Sequence, residues 1–120
     1  MADSLILTLS KRQLEAYNRA DLDAFCACYH ADVEMLDEAA TVLSRGMESF
    51  RSRYRERFEK SREVHAVIKA RIELGRHIVE HETWSRVDRA TSAHESGDLL
   101  VRYTEQDGLI RFAQFFRSSP

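Results

Sequence analysis

A chain of 120 residues with 43% hydrophobic content can bury roughly two thirds of its unfolded surface in one core, so residues 1–120 read as a single domain. The 18 Lys and Arg nearly offset 20 Asp and Glu, and a net charge of -2 excludes a general field that would draw the chain to nucleic acid or to an anionic membrane. No apolar run approaches the roughly 20 residues that cross a bilayer, and MADSLILTLSKRQ lacks the basic region and cleavage site of a secretory signal, so a soluble, cytoplasmic protein is expected.

The first predicted helix spans residues 4–20. It opens on an Asp3-Ser4 cap and carries Leu5, Ile6, Leu9, Ala16, Tyr17 and Ala20 on one face, with Gln13 near the middle of that face. A second helix, capped by Asp21 and ending near His30, has the stripe Leu22, Phe25, Cys26, Tyr29. Cys26 and Cys28 on that helix point about 200° apart, so they neither bridge nor share a metal, and they read as small core residues in a reducing compartment. Residues 32–38, DVEMLDE, alternate as a short strand with Val33, Met35 and Asp37 on one face. Gly46 introduces a third helix in which Met47, Phe50, Tyr54 and Phe58 form an aromatic stripe through a charged sequence.

From Glu63 onward the period changes to two. Val64, Ala66, Ile68, Ala70, Ile72 and Leu74 alternate with polar residues as a long antiparallel strand, and Gly75 turns the chain. Strands follow at 76–88, which contains Trp84, and at 99–106, and Asp107-Gly108 makes a tight turn into LIRFAQFF. On that last strand Ile110, Phe112 and Phe116 face one way and Leu109, Ala113 and Phe115 the other, so both faces need cover and a two-fold homodimer through the outer face of the sheet is expected.

The order of two helices, a short strand, a helix and four long meandering strands carries a resemblance. With AYNRADLDAFCACYHADVEMLD at 16–37, RGMESFRSRY at 45–54 and DGLIRF at 107–112, it resembles the superfamily of nuclear transport factor 2, ketosteroid isomerase and the SnoaL-like polyketide cyclases over nearly the whole chain. The resemblance implies an α+β cone, a half-barrel in which a curved antiparallel sheet wraps around three N-terminal helices, with an apolar pocket at its open end. It also places Asp37 at the position of the isomerase's catalytic aspartate. Gln13 stands where that enzyme has an oxyanion-binding tyrosine, and its second oxyanion donor falls at Leu99 or Leu100. A leucine donates no hydrogen bond, so steroid isomerisation is not expected.

Read from the residues themselves, Asp37 has two alternatives. Facing inward beside Val33 and Met35, it is a carboxylate with a raised pKa suited to act as a general base next to a carbonyl; at a fraying strand end, it caps the following turn. Gln13, as a buried amide, needs a partner: a strand backbone, Tyr17, Asp37 or a ligand. His81 is either an auxiliary pocket acid or base, or a half-buried strand residue, since either face of the 76–88 strand can line the pocket. Tyr17, Phe25, Tyr29, Val33, Met35, Phe50, Tyr54 and Trp84 supply the core, and some of them the pocket wall.

His77 and His81 lie about 13 Å apart along a strand, too far to share a metal, and no metal or other cofactor is expected. The run RSRYRERFEKSR interleaves its bases with Glu48, Glu56, Glu59 and Glu63, the pattern of a solvated salt-bridged helix face rather than a nucleic-acid site. The expected function is binding of a small apolar molecule, either with isomerase, cyclase or dehydratase activity or as a non-catalytic homodimeric module of the same fold.

Overall fold

The computed structural model describes residues 2–117. Its elements run α1 (Leu5–Asn18), α2 (Leu22–Cys26), β1 (Tyr29–Leu36), β2 (Val42–Arg45), α3 (Met47–Lys60), β3 (Ser61–Leu74), β4 (His77–Asp88), β5 (His94–Gln106) and β6 (Leu109–Arg117). The strands form one curved, unclosed sheet in the order β2-β1-β6-β5-β4-β3. β3 to β6 are the expected antiparallel meander, and β1 joins its far side parallel to β6. This is the α+β cone of the nuclear-transport-factor-2-like fold. Among the described residues no helix is long and apolar enough to cross a membrane.

Each helix starts where its local chemistry dictates. The Ser4 Oγ accepts from the Leu7 N–H at 3.2 Å, and Asp21 caps α2 by accepting from the Ala24 N–H at 3.1 Å. α3 follows Gly46, whose φ of +86° suits glycine, and it carries Glu48 in its first turn and Arg57 and Lys60 in its last, which complements the helix dipole. The apolar stripes of the three helices meet on the concave side of the sheet. Phe25 stacks on Phe50 with centroids 5.7 Å apart and tilts onto Tyr54 at 4.6 Å, and both Phe side chains are 1% exposed. Burying two such rings contributes several kcal/mol.

Four local expectations are corrected. α2 stops at Cys26 rather than near His30, because the Ile110 N–H donates to the Cys28 carbonyl at 3.0 Å and draws Tyr29 into the sheet. On α1 the buried face is Ile6, Leu9, Ser10, Gln13 and Ala16, leaving Leu5 half exposed at its edge. β5 begins at His94 rather than 99: its polar first half pairs with β4, and among the described residues its pairing with β6 runs only as far as Leu99 opposite Arg117.

The fourth correction is in β3. A bulge between Ile68 and Ala70 reverses its faces, so Val64 and Ala66 are buried while Ile72 and Leu74 are 74% and 79% exposed. Arg71 and Glu73 thereby turn inward, where they bond to Glu80 and Ser4 respectively. A comparable register shift between Thr104 and Glu105 lets Ile110 and Ala113 of β6 both be buried despite their opposite parity.

Candidate functional site

The site is built on β4. Ile78, Glu80, Glu82 and Trp84 alternate onto the concave face, opposite Tyr103, Val101, Leu99 and Gly97 of β5. Ile78 and Glu80 are fully buried at the narrow end. Toward the open end lies a cavity of about 180 Å³. α1 supplies Gln13, Leu14 and Tyr17 to its wall, α2 supplies Phe25, and α3 supplies Tyr54 and Arg57. Glu82, Trp84, Arg86, Leu99, Tyr103, Phe115 and Arg117 complete it from the sheet.

Trp84 can lie flat across β5 because residue 97 is glycine. A Cβ there would sit 3.0 Å from Cζ2 of the indole, closer than ordinary contact.

Glu82 is the ionisable group of this wall whose titration is brought to neutral pH. Burial raises its carboxyl pKa, the negative charge of neighbouring Glu80 raises it further, and Arg117 partly opposes both, leaving it at about 7. Glu80 itself is held by two short hydrogen bonds: its Oε2 accepts from Ser10 Oγ and from Arg71 Nε, each at 2.7 Å. Its Oε1 has no partner among the described residues.

Gln13 faces the same cavity with 3% exposure. The Tyr29 hydroxyl donates to its Oε1 at 2.9 Å, while its Nε2 is buried without an acceptor among the described residues. An amide donor left unpaired in this way costs about 1–3 kcal/mol, which a hydrogen-bond acceptor in the cavity recovers. Burial holds the Tyr17, Tyr29, Tyr54 and Tyr103 phenols above their ordinary pKa, so they stay protonated as neutral donors.

Of the residues singled out from the sequence, Gln13, Tyr17, Phe25, Tyr54 and Trp84 come together in the cavity wall. Tyr29, Val33, Met35 and Phe50 pack in the core, with Tyr29 touching the site through Gln13. The inward placement of Asp37 is corrected. β1 ends at Leu36, where the register shifts, and Asp37 opens the β1–β2 turn with its Oδ1 accepting from the Ala39 and Thr41 N–H groups, both at 2.9 Å.

His81 takes its half-buried alternative. It lies on the convex face with Thr83, its side chain 41% exposed and its Nε2 3.9 Å from Asp98. Glu82 was missed although the sequence held its signal: Trp84 and Ile78 must face the core, and in a regular strand Glu80 and Glu82 share their parity. Among the described residues no three His, Cys, Asp or Glu side chains gather in a way that could hold a metal ion.

The sequence from residue 11 to 113 matches the family described as the SnoaL-like domain. Three solved structures illustrate what the fold is similar to. An uncharacterized cystatin fold protein from Novosphingobium aromaticivorans is 22% identical, with 97% of this chain and 100% of that one covered and a TM-score of 0.83. A hypothetical protein with a ketosteroid isomerase-like fold from Catenulispora acidiphila, in complex with trimethylamine, is 14% identical over 92% of this chain and 85% of that one, with a TM-score of 0.77. An LEH-like epoxide hydrolase from M. tuberculosis is 14% identical over 95% and 83% respectively, with a TM-score of 0.80. At these identities the likeness is one of fold. None of the curated proteins compared with the chain matches it.

Proposed function

The chain belongs to the SnoaL-like domain family, and we propose that its cavity binds a small carbonyl compound and moves a proton on it, as isomerases, cyclases and dehydratases do. The observation that carries this reading is Glu82, a cavity carboxyl titrating at about 7 in the same wall as the unpartnered Gln13 amide. Such a carboxyl exists in both forms at neutral pH, so it can take a proton and give it back.

The chemistry follows from those two groups. The Glu82 carboxylate removes a proton from the carbon next to the carbonyl. The C–H electron pair becomes a carbon–carbon double bond, and the carbonyl oxygen gains the negative charge. Gln13 Nε2 donates to that oxygen, and the bond strengthens as charge develops there. Protonated Glu82 then returns the proton to another carbon, which completes an isomerisation, or to an oxygen leaving group, which completes a dehydration. Glu82 thus takes the general-base role that one reading of the sequence offered to Asp37. At about 180 Å³ the cavity is far too small for a four-ring steroid.

The test is deuterium exchange from D2O into a panel of small cyclic ketones, followed by NMR. Wild type and Asp37→Asn should exchange, and Glu82→Gln should be slower by about 100-fold or more. Absence of exchange above the uncatalysed rate across ketones of the cavity's size would leave only the binding role.

We also propose a homodimer through the convex face of the sheet. Val67, Ile72, Leu74 and Leu100 are 44%, 74%, 79% and 44% exposed there, and apolar side chains gathered on one sheet face favour a partner. Sedimentation at high micromolar concentration should give the mass of two chains; a monomer would remove the claim. The buried free thiols Cys26 and Cys28 accord with a reducing compartment such as the cytoplasm.

A further inference from the structure

The charges around the cavity are unbalanced toward the positive. Arg57, Arg86 and Arg117 line it against the single carboxyl of Glu82. Arg86 is already engaged: its Nη2 donates to Glu95 Oε2 at 2.8 Å, and its guanidinium lies over the Trp84 ring, 4.9 Å from a ring centroid. Arg117 is the cation that acts on Glu82.

Arg57 is different. It stands where the cavity meets an open polar cleft of about 590 Å³ between α3 and the sheet, and it borders both. Every carboxylate of that cleft is occupied by another group. Glu56 accepts from Lys60 at 2.6 Å, Glu95 from Arg86, and Asp88 Oδ1 from the Ala90 and Thr91 N–H groups at 2.9 Å. Among the described residues Arg57 has no salt-bridge partner, although it is half-buried beside the Tyr17 phenol. A partly desolvated guanidinium without a counter-ion favours an anion that docks on it.

We infer that the ligand is a small carboxylate: a molecule of about one ring whose uncharged part fills the cavity between Gln13, Glu82 and Trp84 while its carboxylate pairs with Arg57 at the cleft. The size follows from the volume, since about 150 Å³ holds a benzene molecule and this cavity offers about 180 Å³. The placement follows from the geometry, because Arg57 borders the opening and the groups suited to a carbonyl line the interior. The inference rests on the ligand pocket proposed above and adds the charge of its occupant.

Calorimetric titration of benzoate and benzamide tests it, since the two share a shape and differ in charge. Wild type should bind benzoate at least about tenfold more tightly than benzamide, the worth of one charge-assisted hydrogen bond. The preference should shrink as salt is added. It should be lost in Arg57→Gln and kept in Arg55→Gln, which alters an exposed arginine of the same helix outside the cavity wall.

Equal affinities in wild type would overturn the anion inference and leave the pocket standing. A preference that survives in folded Arg57→Gln would overturn the assignment to Arg57. Failure of both compounds to bind would overturn the inference together with the pocket at this ligand size. The wild-type comparison decides the charge question whether or not the variant folds.

Discussion

Replacing Glu82 by Gln removes the ionisable group and keeps its shape, and the consequence for stability can be worked out before any substrate is known. In the folded protein the carboxyl titrates at about 7 against an ordinary 4.5, chiefly because it is partly desolvated in the cavity wall and secondarily because Glu80 lies beside it. At about 1.4 kcal/mol per pH unit, that interval makes the ionised form roughly 3 kcal/mol less favourable in the folded chain than in the unfolded one. The sign is the reverse of the usual carboxylate. Between pH 4.5 and about 7 the folded state keeps a proton that the unfolded chain has released, so wild-type stability should fall as pH rises, by up to about 1.4 kcal/mol per unit, and level off above. Glu82→Gln has no such loss. Urea melts of both proteins from pH 4 to pH 9 should therefore show near-equal stabilities at the acid end and an advantage for the variant that grows to roughly 3 kcal/mol by about pH 8. A difference between the two proteins that does not change with pH would refute the buried, high-pKa carboxyl, and with it the acid–base role.

Four further outcomes are expected. Gly97→Ala should displace the Trp84 ring, whose Cζ2 lies 3.0 Å from the new Cβ, costing about 1–3 kcal/mol in melts and altering the tryptophan fluorescence. Arg71→Met leaves the fully buried Glu80 without its ion-pair partner; allowing for the partial exposure of Arg71, the loss should be about 2 kcal/mol. Glu80→Gln should instead bring the Glu82 titration below about 7 by removing the adjacent charge, read by NMR of the Glu82 carboxyl. Asp37→Ala should cost about 1 kcal/mol through the two turn N–H groups it orphans, while deuterium exchange into ketones stays at the wild-type rate.

Much of the architecture was legible because the information is local. Serine and aspartate caps, a 3.6-residue stripe in α3, and a change to period two at residue 63 each depend on neighbours a few positions away, and each element appears near its expected place. The Asp107-Gly108 hairpin is likewise local: both residues have positive φ, which that dipeptide tolerates. Gln13, Tyr17, Phe25, Tyr54 and Trp84 reached the cavity wall because an apolar face of a helix or strand has one direction to point. The parallel junction of β1 with β6 had no local signal, since it joins segments about eighty residues apart.

The site's chemistry was decided by the tertiary structure, and for one reason. Alternation along a strand states which residues share a face, but which face is covered depends on where the helices land and where a bulge resets the parity. The bulge in β3 exposed Ile72 and Leu74 and turned Arg71 inward to meet Glu80. The end of β1 at Leu36 released Asp37 into a turn, where backbone N–H groups claim it. The cover of α1 and α3 over the concave face placed Glu82, rather than His81, in the cavity wall. By itself the sequence determined a cone of helices and sheet with aromatic walls; the choice of its carboxyl had to wait for the packing, because a pKa follows from the groups that surround a side chain in space.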